Sequence, residues 1–300
     1  MTGAVGSARR AVADYSIWIL EFARAPGSPL GLLVHGEVGE RDLPYCLSVL
    51  QSEDRTILVD SGYLDEGPGH DLGELDGVTI WADPIDVLGR VGVRAEDVDA
   101  ILLTHAHYDH LGNVLAFPNA EVYVQRREIE KLAWALGLPR EMDWLKQGVS
   151  ELDLAALDRL AQEGRLRVVE GAVRDVLPGI DIEPDFDTHT YGHQHVVVRN
   201  DSTGVWAIPG DVMYLYTNVE GVAGDGRYVP IGFSMGSQEN CMMSLDGLMK
   251  ATGGEPNRIL PGHEMRLWER HPSAVFPDGL HVAEPCLRPG DHSRLPTGGA

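Results

Sequence analysis

At 300 residues the chain is long enough to bury one large mixed core or two smaller ones. Its 46 acidic and 24 basic residues leave a formal net charge of −22 with no Lys/Arg-rich run, and such a surface repels phosphate backbones and anionic membranes, which argues against nucleic acid and lipid as partners. Three cysteines, Cys46, Cys241 and Cys286, lack C-x-x-C spacing and support neither a disulfide framework nor a thiolate metal site.

Residues 1–13 read as a flexible leader of small residues. The apolar run after Arg9-Arg10 is broken by Asp14, Glu21 and Arg24, so neither an export signal nor a membrane span is expected, and the default location is cytoplasmic. Tyr15 to Phe22, Leu43 to Leu50 and Thr56 to Val59 have strand character, with the Gly- and Pro-containing stretch Ala25 to Asp42 between the first two read as loop. Leu64 to Ala82, rich in Gly and Asp, is also read as loop. Pro84 to Val91 carries apolar residues at helical spacing behind a plausible cap, Asp83.

Val98 to Leu103 fits a buried strand, and Thr104-His105-Ala106-His107-Tyr108-Asp109-His110 follows it at once. Alternate residues of an extended chain point the same way, so His105, His107 and Asp109 share one side and His110 joins them as the chain turns. Four ligand-type side chains at one strand end are the pattern of a divalent metal site rather than of a polar loop.

Beyond it, Glu121 to Gln125 reads as a strand, and 126–165 as a helical insert in which Ser150 caps Leu154, Leu157, Leu160 and Ala161 on one face. Trp134, Leu138, Met142, Trp144 and Leu145 would line an apolar substrate pocket or pack on the domain. Strands are expected at Val168 to Val176, Ile180 to Pro184, Val196 to Val198 and Gly204 to Ile208, a helix at Gln238 to Thr252, and a short strand at Ile259-Leu260. The ligand motifs span both halves, so one domain over 14–275 is expected, with 276–300 as a C-terminal tail.

The His-x-His-x-Asp-His run resembles the signature of the metallo-β-lactamase superfamily. Four further pieces match its pattern in order: Ile57-Leu58-Val59-Asp60-Ser61-Gly62, the His189 motif, Gly210-Asp211 and Gly262-His263. The resemblance implies an α/β fold, the αβ/βα four-layer sandwich, with two divalent ions, most simply Zn2+, with Fe, Mn or Co as alternatives. It assigns His105, His107 and His189 to one ion and Asp109, His110 and His263 to the other, with Asp211 bridging. Asp60 is expected to orient the metal loop. The implied chemistry is attack of a metal-bound hydroxide on a carbonyl of a small-molecule substrate, with Asp109 relaying the proton.

Tyr214, three residues after Asp211, resembles the N-acyl-homoserine lactonase branch, where a Tyr at that offset contacts the substrate carbonyl; the plain alternative is an aromatic packed at the sheet rim. Lactone opening is therefore the leading expectation. Thioester hydrolysis as in glyoxalase II, cyclic amide hydrolysis and a non-catalytic metal-binding protein stand as alternatives. The chain departs from that branch at Thr188-His189-Thr190-Tyr191, which stands where Gly-His-x-Pro is usual, and at His195, where a small polar residue is usual. His193 and His195 are read as supporting the ligands or recognising a polar substrate, the Gly-rich stretch Asn218 to Gly236 as reshaping the pocket, and Trp268 as an exposed aromatic suited to a homo-oligomer interface.

Overall fold

The structure, a computed structural model, describes residues 13–296; all of the proposed leader except Ala13 lies outside them. Among the described residues thirteen strands run in chain order: β1 Ser16–Pro29, β2 Glu40–Gln51, β3 Thr56–Val59, β4 Ile80–Trp81, β5 Ala100–Leu102, β6 Glu121–Gln125, β7 Leu166–Val169, β8 Val173–Leu177, β9 Ile180–Pro184, β10 Gln194–Asn200, β11 Gly204–Ile208, β12 Ser273–Val275 and β13 His281–Cys286. Nine of them form one sheet in the order β12-β13-β1-β2-β3-β5-β6-β7, with β4 also on β1, and β11-β10-β9-β8 form a second, antiparallel sheet.

Period-two alternation builds the layers. On β1, Ile17 and Ile19 enter the core between the sheets, where they meet Ile180, Ile182, Val196 and Val198 of the small sheet. Trp18, Leu20 and Phe22 point the opposite way, into a core shared with Val87, Leu88, Leu132, Leu157 and Leu160 of the helices Pro84–Gly89, Arg126–Leu136 and Glu151–Gln162. On the far face of the small sheet, Ala207 packs with Leu245 and Leu248 of the helix Gln238–Ala251. The order helix, sheet, sheet, helix is a four-layer αβ/βα sandwich.

Local chemistry sets the element ends. Asp83 accepts a hydrogen bond from the Ile85 amide, and Ser150 from that of Leu152, so each helix start satisfies one of its free N–H groups. Strands β3, β5 and β6 are parallel, and β3 and β5 are buried along their whole length, so their carboxyl ends open at one rim and deliver Asp60 and Thr104 side by side. A parallel bridge from Ile259 to Ala207 of β11 brings the Asp211 and His263 loops to the same rim.

Several expectations change. β1 runs on to Pro29, because β2 pairs with it as far as Pro29↔Glu40 and an irregularity between Ala25 and Ser28 absorbs Pro26 and Gly27. Leu64 to Ala82 holds the helix Gly67–Leu75 and β4. The strand expected over Val168 to Val176 is two strands in different sheets, with the crossover pinned by two hydrogen bonds between the Gln125 side chain and the Gly171 backbone. Within 276–300, taken as tail, His281–Cys286 is β13, because β1 offers it an unpaired edge and Glu284 accepts from the Trp18 indole N–H. Trp268 is buried and stacked on His281, with ring centroids 5.1 Å apart, so it offers no interface. No helix among the described residues is long and apolar enough to cross a membrane.

Candidate dinuclear metal centre

The seven ligand-type residues named from the sequence meet at the rim, all buried. His105, His107, His189 and Asp211 form one cluster able to hold an ion, and Asp109, His110 and His263 form a second. Four imidazoles are fixed by their Nδ1 atoms, which leaves Nε2 for the site. His105 Nδ1 lies 3.0 Å from Thr104 Oγ1, and His110 Nδ1 2.7 Å from Asp60 Oδ2. His189 Nδ1 lies 3.1 Å from the Phe233 carbonyl, and His263 Nδ1 2.7 Å from that of Pro44. His107 Nδ1 is 2.9 Å from His189 Nε2.

Asp211 divides its carboxylate between the clusters. Oδ2 lies 3.4 Å from His189 Nε2 and 3.9 Å from His105 Nε2, while Oδ1 lies 3.2 Å from His263 Nε2 and 3.3 Å from His110 Nε2. The Nε2 atoms of His105, His107, His110 and His263 and Oδ1 of Asp211 are buried without a hydrogen-bond partner. Leaving such groups unpaired costs about 1–3 kcal/mol each, and the nitrogen and oxygen donors suit a borderline divalent cation. The residues present therefore fit two metal ions.

Electrostatics differ between the clusters. Burial, with the neighbouring imidazoles, holds His105 well below the usual histidine range and brings His107 down to about 3; burial likewise lowers His189. These rings are neutral and ready to bind. At His110 and His263 burial opposes the charge, but Asp211 and Asp109 outweigh it and raise both, so protons there must leave before an ion enters.

The surrounding residues explain the geometry. Asp60, held at φ 65°, accepts from the Thr104 amide at 2.8 Å and the Thr104 hydroxyl at 2.9 Å as well as from His110, so it orients the metal loop. His193 lies under the bridge: its Nε2 accepts from the Asp211 amide at 3.1 Å, and its Nδ1 faces Asp185 at 3.4 Å. His195 Nδ1 binds the same carboxylate at 2.8 Å. Neither histidine lines the pocket bordered by His107, Asp109, Asp211 and His263. His195 instead borders an outer cleft of about 590 Å3 beside the Arg174–Asp181 ion pair, a cleft that holds no ligand residue.

Three contributors carried no local signal. Glu128 is fully buried and accepts from the Ala106 amide (2.9 Å), the Thr190 hydroxyl (2.9 Å) and the Gly192 amide (2.6 Å), so it clamps the His105–His107 loop to the His189 loop. Thr190, at the variable position of that motif, thus has a role as a donor to Glu128. Of the two departures, Thr188 donates its hydroxyl to the Asp185 carbonyl at 2.6 Å, and Tyr191 places its hydroxyl 3.4 Å from the Leu145 carbonyl and its ring edge-on to Trp134. Phe233, from the Gly-rich stretch, stacks on His107 and holds His189. Gly148 has φ +72°, and a Cβ there would lie 3.0 Å from His107 Cγ, so only glycine lets this loop back the ligand.

The centre opens into a pocket of about 490 Å3 that includes Tyr214, Leu32, Leu33, Leu72, Trp144 and Phe233. Of the aromatics expected there, Trp144 lines it, while Trp134 is half-exposed outside it. Tyr214 is buried against His189 and His263, at ring distances of 5.6 and 5.3 Å. Burial and the adjacent Asp211 push its phenol well above the usual range.

A four-layer sandwich with two ligand clusters sharing one carboxylate at the carboxyl ends of its strands defines a dinuclear metallohydrolase. The family profile of the metallo-beta-lactamase superfamily matches residues 43–263, and the chain belongs to that superfamily. Among its relatives, N-acyl homoserine lactonases of a Bacillus species and of Bacillus cereus are 27% and 26% identical over 247 residues, which span 79% of this chain and 87% of each relative. A solved structure of B. thuringiensis AiiA, a variant with N-decanoyl-L-homoserine bound at the active site, superposes with a TM-score of 0.65 at 21% identity over 89% of this chain and 98% of that one. AidC, described as a dizinc quorum-quenching lactonase, gives 0.61 at 14% identity over 93% and 99%. These likenesses in structure are likenesses of fold.

Proposed function

We propose that the protein opens the ring of N-acyl homoserine lactones, with zinc as its ions, and so acts as a quorum-quenching lactonase. The observation that carries this is the division of the Asp211 oxygens between two buried clusters at the floor of a pocket with apolar walls. The names of the relatives support the choice of lactone. Two ions held by His105, His107, His189 and Asp211 and by Asp109, His110 and His263 would supply Lewis acidity toward the ester carbonyl and toward water near neutral pH.

The chain's own residues supply the rest. The clustered histidines and Asp211 would hold the ions at one end of the pocket, which would seat the lactone carbonyl there while the acyl arm lies along Leu32, Leu33, Leu72 and Trp144. Tyr214, protonated at every working pH, donates a hydrogen bond to the carbonyl oxygen as negative charge gathers on it. Asp109 borders the same pocket and passes a proton from the attacking water to the departing ring oxygen. The ring C–O bond breaks, the alcohol keeps the proton passed by Asp109, and the second water proton is released to solvent as the carboxylate forms.

The test is proton release by the metal-loaded protein on acyl-homoserine lactones, simple lactones, a glutathione thioester and a cyclic amide, with Asp211→Asn as control. Rapid opening of the acylated lactones is expected. Turnover of the thioester or amide alone would overturn the assignment.

A further inference from the structure

Among the apolar side chains of the pocket wall stands a polar pair, Tyr108 and Asp76. The Tyr108 hydroxyl donates to Asp76 Oδ2 at 2.7 Å. Tyr108 adjoins Asp109, and its ring packs edge-on to Tyr63 at 5.0 Å. Asp76 reaches the same point from the end of the helix Gly67–Leu75, where it is the C-cap.

That is a poor place for a carboxylate. Its charge meets the negative end of the helix dipole, it faces Asp109, and Leu72 and Leu75 flank it in the pocket. Asp76 keeps an exposed edge at the pocket mouth, while desolvation on its pocket side raises it to about 6. An acid placed against local preference in a pocket wall signals a job for the ligand rather than for the fold.

The chemistry of the pair fixes what it can read. The Tyr108 proton is used in the bond to Oδ2, and the neighbouring Tyr45 phenol is likewise directed at Asp76, so the pair has a remaining lone pair on the carboxylate and one on the Tyr108 oxygen to offer, both acceptors. We propose that Tyr108 and Asp76 form a specificity site for a hydroxyl on the acyl arm of the substrate, favouring hydroxyacyl lactones over plain arms and disfavouring oxoacyl arms, which bring a third acceptor against two. This rests on the lactonase reading above. A hydroxyl–carboxylate bond in a partly dry pocket separates matched from unmatched arms by about 10-fold or more, and an acceptor facing acceptors is rejected at least as strongly.

The experiment compares kcat/KM of the metal-loaded wild-type protein on three N-acyl homoserine lactones of equal chain length, with plain, 3-hydroxy and 3-oxo arms. It repeats the series for Asp76→Asn and Tyr108→Phe, and measures binding of the three ring-opened acids by calorimetry. The wild type is expected to prefer the hydroxy arm to the oxo arm by about 10-fold or more. Asp76→Asn, which brings a donor, should collapse that ratio toward one and improve the oxo arm relative to the plain one; the ring-opened acids should follow the same order of affinity. Equal treatment of the three arms by the wild type, or a variant that scales all three alike, overturns the specificity site even if the variants fold poorly, because the wild-type ratio needs no substitution. Failure to open any acyl lactone would instead overturn the lactonase reading itself.

Discussion

Replacing Glu128 with Gln tests how the two ligand loops are held. The carboxylate accepts three hydrogen bonds, from Ala106, Thr190 and Gly192, and has no donor of its own. A glutamine keeps one oxygen. Turned toward Thr190 and Gly192, it sets its NH2 against the Ala106 amide; turned the other way, it loses the Gly192 bond. At the least, one buried charge-assisted bond of about 1.5–3 kcal/mol goes and a donor is left facing a donor. Burial raises the Glu128 pKa, so removing its charge returns part of this, and a net loss of about 2 kcal/mol is expected. Urea unfolding of the metal-free protein should show a lower midpoint with an unchanged slope. Because Ala106 separates His105 from His107 and Thr190 follows His189, metal affinity of the first cluster should also fall by about 10- to 100-fold. A midpoint shift worth under about 0.5 kcal/mol, with metal affinity intact, would refute the clamp.

Other consequences are equally direct. Asp211→Asn should lower metal content and hydrolysis together, read by metal analysis and ring opening; normal turnover would remove the bridging role. Tyr214→Phe should keep both ions and lose about 10- to 100-fold in kcat/KM, whereas an unchanged rate would return Tyr214 to simple packing. Metal uptake by the second cluster should weaken as pH falls. His110 and His263 have raised pKa values, so they hold protons to higher pH than free imidazole, and an ion must displace them; affinity rises with pH until those pKa values are passed. The first cluster, whose imidazoles are depressed, should be nearly indifferent over about pH 6 to 9. Chelator competition at the two ends of that range separates the two behaviours.

The first four candidate ligands were legible because ligation demands particular side chains at a strand end, and His105, His107, Asp109 and His110 carry that demand within six residues. Asp60, His189, Asp211 and His263 were legible only through the resemblance to the superfamily pattern. Glu128 was not, since its partners at Thr190 and Gly192 lie 62 and 64 residues away and a glutamate in an amphipathic helix looks like a surface charge. Phe233 reaches His189 through a backbone carbonyl, which no side-chain pattern reveals. The helix Gly67–Leu75 hid behind its three glycines; Gly69 and Gly73 admit the Tyr63 ring and hydroxyl, so packing there overrides poor helix propensity. β13 hid in a Pro- and Gly-rich context, because what makes it a strand is the edge of β1, far back in the chain.

The central claim, that two ligand clusters sharing Asp211 act as one lactone-opening centre, is tested most directly by titrating metal-free protein with zinc while following bound metal and opening of an acyl-homoserine lactone together. Activity that appears with the second equivalent, after the first is bound, is the predicted result. Full activity at one equivalent, or two tightly bound ions without ring opening, would contradict it.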